Sequence, residues 1–336
     1  MIKNNKFFIE QLRSVCFFGQ SDSLSDLIKI NDSFNIKSLI ITSSHQSKKV
    51  SKNVKANIFN KIDNACIKLI KNKCDIQKTL FVSLGARYIF KKDMIEKFFL
   101  SNLVNFHRHR LPLNRGGGGY SWHIMNEDRI DNQLIHLINE KPDAGPIIDS
   151  STTLFPSKCK IPIDFENYSL EKFSEMYKSF INKLKNGTKF TLKPQVNYFG
   201  NYYPRLNTLQ NGFIDWNLKP YDLINFINAF DDPYPGAITF LNNGNFGELF
   251  LKKVQLHGGE ISNHPFMTGL VTRHDKKWIV VSTVDKHSLL IEKVLNKKNE
   301  NIISKIKTGD RFFTPINKIQ EAKNKRVFYS SKGLES

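Results

Sequence analysis

At 336 residues, with 40% hydrophobic and 24% charged residues, the chain has the composition of a globular protein long enough for two domains. No stretch approaches the roughly 18 apolar residues that span a bilayer, and charges interrupt the N-terminus, so neither membrane insertion nor secretion is indicated and a cytoplasmic location is expected. The net charge of +19 comes from lysines dispersed along the chain, which read as a solvated face; only a clustered basic face would point to nucleic acid.

Residues 14–18 form a short apolar run that stops at Gly19. A small polar turn follows, Gln20 to Ser23, and then a helical pattern carrying Leu24, Leu27 and Ile28. This predicts strand, turn and N-capped helix, the opening of a doubly wound α/β domain. The turn lacks the second and third glycines of a dinucleotide fingerprint, so NAD binding is not supported. Lys37–Thr42 reads as a strand, 62–70 as a helix, Thr79–Leu84 as a buried strand and 94–100 as a helix leading into Leu103. Alternation of this kind predicts a mostly parallel sheet, which binds ligands beyond the carboxyl ends of its strands. The four cysteines, Cys16, Cys66, Cys74 and Cys159, make no CxxC pair and have no His at ligand spacing; they are expected as reduced thiols, with no metal.

The chain is organised around residues 103–145. Asn105 and His107, two apart on an extended strand, point the same way. A basic loop over 108–115 and four glycines at 116–119 lead to a second apolar strand at 132–138 and then to Pro142, Asp143, Ala144 and Gly145. An amide, an imidazole and a carboxylate suit acyl transfer: an oxyanion donor, a proton acceptor and a group that tunes it. Asp143 would raise the pKa of His107 while Arg108, Arg110 and Arg115 would lower it, so a near-neutral value is expected. His109, His123 and His136 read as structural or surface residues, although His136 lies on the strand leading to Asp143.

Over 170–185, apolar residues from Phe173 to Leu184 recur at three and four, an amphipathic helix facing a core. The stretch from Gly187 to Gly212 has no period and reads as a linker. Phe213-Ile214-Asp215-Trp216 precedes a helix at 221–230, closed by Asp232-Pro233-Tyr234-Pro235-Gly236. Short strands with Gly and Asn turns then predict a small β-barrel or sandwich. The Lys- and Asn-rich tail after Pro315 is expected to be loosely held.

The ordered set Asn105-x-His107, Leu111-Pro112, Arg115-Gly116 and Asp143-Ala144-Gly145 resembles the signature of the 10-formyltetrahydrofolate-dependent formyltransferases. Ile-Asp-Trp at 214–216 and Pro-Tyr-Pro-Gly-Ala at 233–237 are similar to the junction found in the methionyl-tRNA and sugar N-formyltransferase branches. The resemblance implies a Rossmann-like catalytic domain over 1–190, a linker and junction helix over 191–240, and a smaller, mainly β domain over 241–336. It implies 10-formyltetrahydrofolate as formyl donor and roles for three residues: Asn105 on the formyl oxygen, His107 in proton transfer and Asp143 orienting and charging the site. It also implies a folate pocket lined by Arg87, Ile89, Leu137 and Asp143. The chain departs from the family in its loop, where Arg108-His109-Arg110 and the glycine run stand. Arginine forks suit phosphates, so Arg110, Arg115, Gly116 and Gly117 are the expected acceptor contacts. The leading reading is a nucleotide-linked amino sugar as acceptor, for a surface polysaccharide; the alternative is initiator Met-tRNA. By the same resemblance a homodimer through the C-terminal domain is implied.

Overall fold

The computed structural model describes residues 2–3, 5–48, 50–86, 88–117, 119–259, 262–330 and 333–335. The chain divides into two compact units. The first comprises Met1–Arg115, Ile130–Leu154 and Tyr168–Tyr202, the second Gly116–Arg129, Phe155–Asn167 and Tyr203–Ser336.

The first unit is built on β1 (Ser14–Gly19), α1 (Leu24–Ser33), β2 (Lys37–Thr42), β3 (Asn57–Ile58), α2 (Asn64–Lys73), β4 (Thr79–Leu84), β5 (Leu103–His107), β6 (Ile130–Leu137) and β7 (Ile147–Leu154). Its seven-stranded sheet runs β7-β6-β5-β4-β1-β2-β3. β3, β2, β1, β4 and β5 are parallel, whereas β6 and β7 are added antiparallel. β1 and β4 are buried along their whole length because both faces are covered. Strand alternation then divides the side chains. Val15, Phe17, Leu80, Val82, Val104 and Phe106 enter one core, and Cys16, Phe18, Phe81 and Leu103 enter another. Among the described residues the cysteines are free and buried.

The first of these cores is closed by α3 (Pro162–Lys185), a longer helix than the pattern at 170–185 predicts. From residue 168 onward it belongs to the first unit, and Phe173, Met176, Tyr177, Phe180, Ile181 and Leu184 all face inward. Burying a side chain of this size stabilises by about 1.5–3 kcal/mol. Tyr177 is fully buried and its hydroxyl donates to Asn31 Oδ1 at 2.7 Å, which ties α3 to α1. The turn before α1 differs from a simple N-cap: Ser23 makes no side-chain cap, and Ser21 accepts through its hydroxyl from Ser23 N and through its carbonyl from Leu24 N.

The second unit contains α4 (Pro220–Ala229), β8 (Ala237–Leu241), β9 (Leu249–Gly258), β10 (Val271–His274), β11 (Ile279–Ser282), β12 (His287–Leu295) and β13 (Phe312–Phe313). Six antiparallel strands run in the order β10-β11-β12-β9-β8-β13. The two ends of that order meet: Leu270 bridges Arg311, Val271 N donates to Asp310 O at 2.8 Å and Phe312 N to Gly269 O at 2.8 Å. The sheet thus closes into a small barrel, one of the two forms, barrel or sandwich, that its strand spacing predicts. Closure needs glycine at 269, where φ is +76° and an added Cβ would lie 2.1 Å from Phe312 O.

Ahead of β8, the acidic junction is clamped from inside. Lys252, 5% exposed, lies 3.7 Å from Asp231, contacts the Asp232 carboxylate and donates to Tyr234 O at 2.7 Å. Over residues 316–324 the tail is not loose. It forms helix α5 (Ile316–Asn324), with Ile319 and Ala322 buried, because two of its three apolar positions, three apart, find a core that no local signal announces. No described helix is long and apolar enough to cross a membrane.

Candidate functional site

The site grows from the end of β5. Asn105 and His107 share one face while Phe106 between them points into the core, its ring 5.4 Å from Phe173, 5.5 Å from Tyr177 and 5.9 Å from Phe180. The buried ring fixes the register, and the two polar side chains are forced to the other side. β6 runs antiparallel beside β5 with Asn105 opposite His136 and His107 opposite Leu134. His136 therefore joins the site as a cross-strand neighbour.

His136 is 2% exposed, and both its ring nitrogens are assigned by their partners. Nδ1 lies 2.8 Å from the Leu137 carbonyl, which can only accept, so Nδ1 carries the proton. Nε2 is then a lone pair that accepts from Asn105 Nδ2 at 3.1 Å. This bond uses one of the two hydrogens on Asn105 Nδ2 and aims the amide. Asp143 enters from the turn beyond β6. Its Oδ1 lies 3.9 Å from His107 Nδ1 and 3.7 Å from His136 Nε2. Ligand atoms of His107, His136 and Asp143 all fall within 4.8 Å of one another.

The turn itself is tightly constrained. Leu137 N donates to Pro146 O at 3.0 Å, and Asp143 sits at φ +52°, a left-handed conformation that Asp tolerates better than most residues. Gly145 passes so close to β6 that an added Cβ would lie 1.8 Å from Leu137 O. Gln195 reaches the same turn: Nε2 donates to Asp143 O at 2.9 Å and to Gly145 O at 2.7 Å, and Oε1 accepts from Arg115 Nη2 at 3.0 Å.

Burial drives the His107 pKa down to about 4; Asp143 pulls it up, His136 and Arg108 push it down, and the Asn114 backbone carbonyl adds a small upward pull. The near-neutral value expected for this residue is therefore corrected: burial outweighs the carboxylate. His107 is neutral across the physiological range. Its Nε2 is buried with no well-formed hydrogen bond among the described residues. Asp143 is held below the usual carboxylate range, first by His136 and then by His107 and Arg115, against its partial burial. The pair at rest is thus a neutral imidazole beside a carboxylate.

Of the other residues singled out in the sequence, Arg87 lies outside the described residues and Ile89 is exposed. The carbonyl and N–H of Leu137 are engaged by His136 and Pro146. Arg110 and Arg115 belong to the first unit, where Arg110 O accepts from Asn114 N at 2.6 Å. Gly116 and Gly117 belong to the second, where Gly117 N donates to Tyr203 O at 3.2 Å. The glycine run is not one open loop: Gly116 ends a two-residue strand, and Gly119 begins the helix Gly119–Met125. Two residues of the site escape sequence reasoning, His136 and Gln195. The first carried a signal, a histidine inside an apolar strand that leads to Asp143. The second lies in a stretch without period.

Residues 208–326 match the family described as formyl transferase, C-terminal domain. The bifunctional polymyxin resistance protein ArnA of Wigglesworthia glossinidia brevipalpis is 25% identical over 258 residues, 72% of this chain and 36% of that protein, so the chain spans about a third of the length of that curated relative. Two solved structures share the fold. The N-formyltransferase of Helicobacter canadensis, in complex with folinic acid and dTDP-3-aminofucose, superposes with a TM-score of 0.60 at 18% identity, covering 83% of this chain and 99% of that one. WlaRD, a sugar 3N-formyl transferase solved with dTDP and 5-N-formyl-THF, gives 0.59 at 18% identity, covering 86% and 100%.

Proposed function

We propose that this chain is a formyltransferase that moves a formyl group from 10-formyltetrahydrofolate to the amine of a nucleotide-linked amino sugar, a reading supported by the C-terminal domain match and the similarity to ArnA. The observation that carries the proposal is the double pairing at the end of β5, Asn105 with His136 and His107 with Asp143. The residues fit a bound formyl donor. A buried imidazole nitrogen has no well-formed partner among the described residues, and one hydrogen of the Asn105 amide is left over by His136. When bound, the folate supplies a formyl carbon open to attack by the acceptor amine.

Asn105 donates its remaining N–H to the formyl oxygen as negative charge develops there. Aimed in advance by His136, it needs no reorganisation at the moment of reaction, and a donor of this kind is worth roughly 3–4 kcal/mol. The Asp143 carboxylate, 3.9 Å from His107 Nδ1, favours the tautomer that keeps its proton on Nδ1, leaving the Nε2 lone pair to take the proton from the attacking amine. Charge that appears on the imidazole is then stabilised by the carboxylate. A base that binds its proton weakly also releases it readily to the departing nitrogen. The low resting pKa of His107 keeps its lone pair free at neutral pH and favours the second half of that exchange, the release of the proton.

For the acceptor, support comes from the guanidinium forks of Arg110 and Arg115, from the Asp-Pro-Tyr-Pro-Gly-Ala junction at 232–237, and from the fold relative solved with dTDP-3-aminofucose. A second reading, methionyl-tRNA formylation, draws on the net charge of +19. The test is tetrahydrofolate release from 10-formyltetrahydrofolate with TDP-, UDP- and GDP-linked amino sugars and, separately, with unformylated Met-tRNA. Turnover with a nucleotide sugar, reduced about 10²–10³-fold in kcat by Asn105→Ala, is expected. Turnover with the tRNA alone would replace the acceptor, and an Asn105→Ala variant as fast as wild type would remove the assigned role.

A further inference from the structure

Asp143 is the least conventionally held member of the site. Its backbone is left-handed, a conformation that a non-glycine residue keeps only where the surroundings over-determine it. Gly145 fixes one side of the turn through its approach to Leu137. The other side is fixed by Gln195, whose amide nitrogen spends both hydrogens on carbonyls of the turn, those of Asp143 and Gly145. Its amide oxygen accepts from Arg115, the guanidinium that faces the Asp143 carboxylate alongside the imidazoles of His107 and His136.

Gln195 is itself delivered by backbone pairing. Lys193 exchanges hydrogen bonds with Ile147, N to O at 2.9 Å and O from N at 2.8 Å, which locks the chain two residues earlier beside the strand that follows the turn. The lock leaves Gln195 little freedom to choose other partners.

We propose that Gln195 is a positioning residue for formyl transfer, holding the Asp143 turn and the Arg115 guanidinium in one arrangement so that the carboxylate faces His107. The proposal rests on the formyl-transfer reading for its kinetic part only. Only an uncharged amide satisfies all three bonds: two donors for carbonyls and one acceptor for a guanidinium. A glutamate at this position keeps the acceptor and loses both donors, so it separates the turn from the arginine. A displacement of the carboxylate by about 1 Å is enough to lower kcat on the order of 10²-fold.

The experiment compares wild type, Gln195→Ala and Gln195→Glu in two measurements. The first is steady-state kinetics, where both variants are expected to lose about 10–100-fold in kcat with a smaller change in KM for the acceptor. The second needs no turnover: the pH titration of the Asp143 carboxylate followed by carbon NMR. With the turn released and Arg115 untethered, Asp143 is expected to titrate at higher pH in Gln195→Ala than in wild type. A kcat within twofold of wild type in Gln195→Ala overturns the proposal. So does a loss of kcat with an unmoved Asp143 titration, since that is what a merely structural residue would give. If wild type releases no tetrahydrofolate with any acceptor, the formyl-transfer reading fails, and the titration alone decides: a shifted carboxylate keeps Gln195 as the residue that positions Asp143, and an unmoved one removes it.

Discussion

His107 shows how burial outranks a neighbouring charge. With a carboxylate 3.9 Å away it would be expected to gain proton affinity, yet it is 14% exposed and its pKa falls to about 4. The consequence for stability has a definite sign. A histidine at about 6.5 unfolded and about 4 folded binds more protons in the unfolded chain, so the folded state loses stability as pH drops from 6.5 towards 4. At pH 5 the loss attributable to this one residue is about 2 kcal/mol. His107→Gln, which cannot protonate, is expected to abolish that share. Denaturant unfolding of both proteins at pH 7.5 and 5.0 checks it, and equal pH dependence in the two would mean that His107 titrates normally.

At the scale of elements, the site exists because an antiparallel pair, β5 and β6, is joined to a parallel sheet, and because the turn after β6 comes back close enough to touch it. Gly145 is the point of contact. Gly145→Ala would push a methyl group into the Leu137 carbonyl, and either the turn or β6 must move. We expect that variant to lose turnover and to show faster hydrogen exchange at Leu137 and Ile138, whose amides pair with Pro146 O and Leu103 O; unchanged exchange there would show that the turn absorbs the methyl. Sequence alone made much of this legible. Period two placed Asn105 and His107 on one face, and continuous apolar runs at 14–18 and 79–84 marked strands covered on both sides. What it could not reveal was pairing between distant segments. His136 entered through a register that joins residues 31 apart, and Gln195 through a bond spanning 52. Neither position has a local pattern from which its partner can be read. The helix at Ile316–Asn324 escaped for a related reason: three apolar residues in a lysine-rich stretch look soluble until a core is supplied from elsewhere.

For the whole molecule, the question is whether a charge of +19 is functional or merely solvating. Many acidic groups already stand beside lysines in exposed pairs, such as Lys29 with Asp26, Lys97 with Asp93 and Lys318 with Glu321. Pairs of this kind are worth little individually and leave a surplus of lysine spread over the chain. The acceptor decides between the two meanings. A nucleotide sugar presents two phosphates, so raising the salt from 50 to 200 mM should increase its KM by roughly tenfold or less. A tRNA neutralised at six to ten phosphates would lose on the order of 10³–10⁵ in affinity over the same range. Initial rates across that range with the working acceptor make the distinction, and we expect the shallow dependence. A steep one would mean that the lysines form a nucleic-acid face and that the acceptor is the tRNA, because no two-phosphate ligand releases enough counterions to produce it.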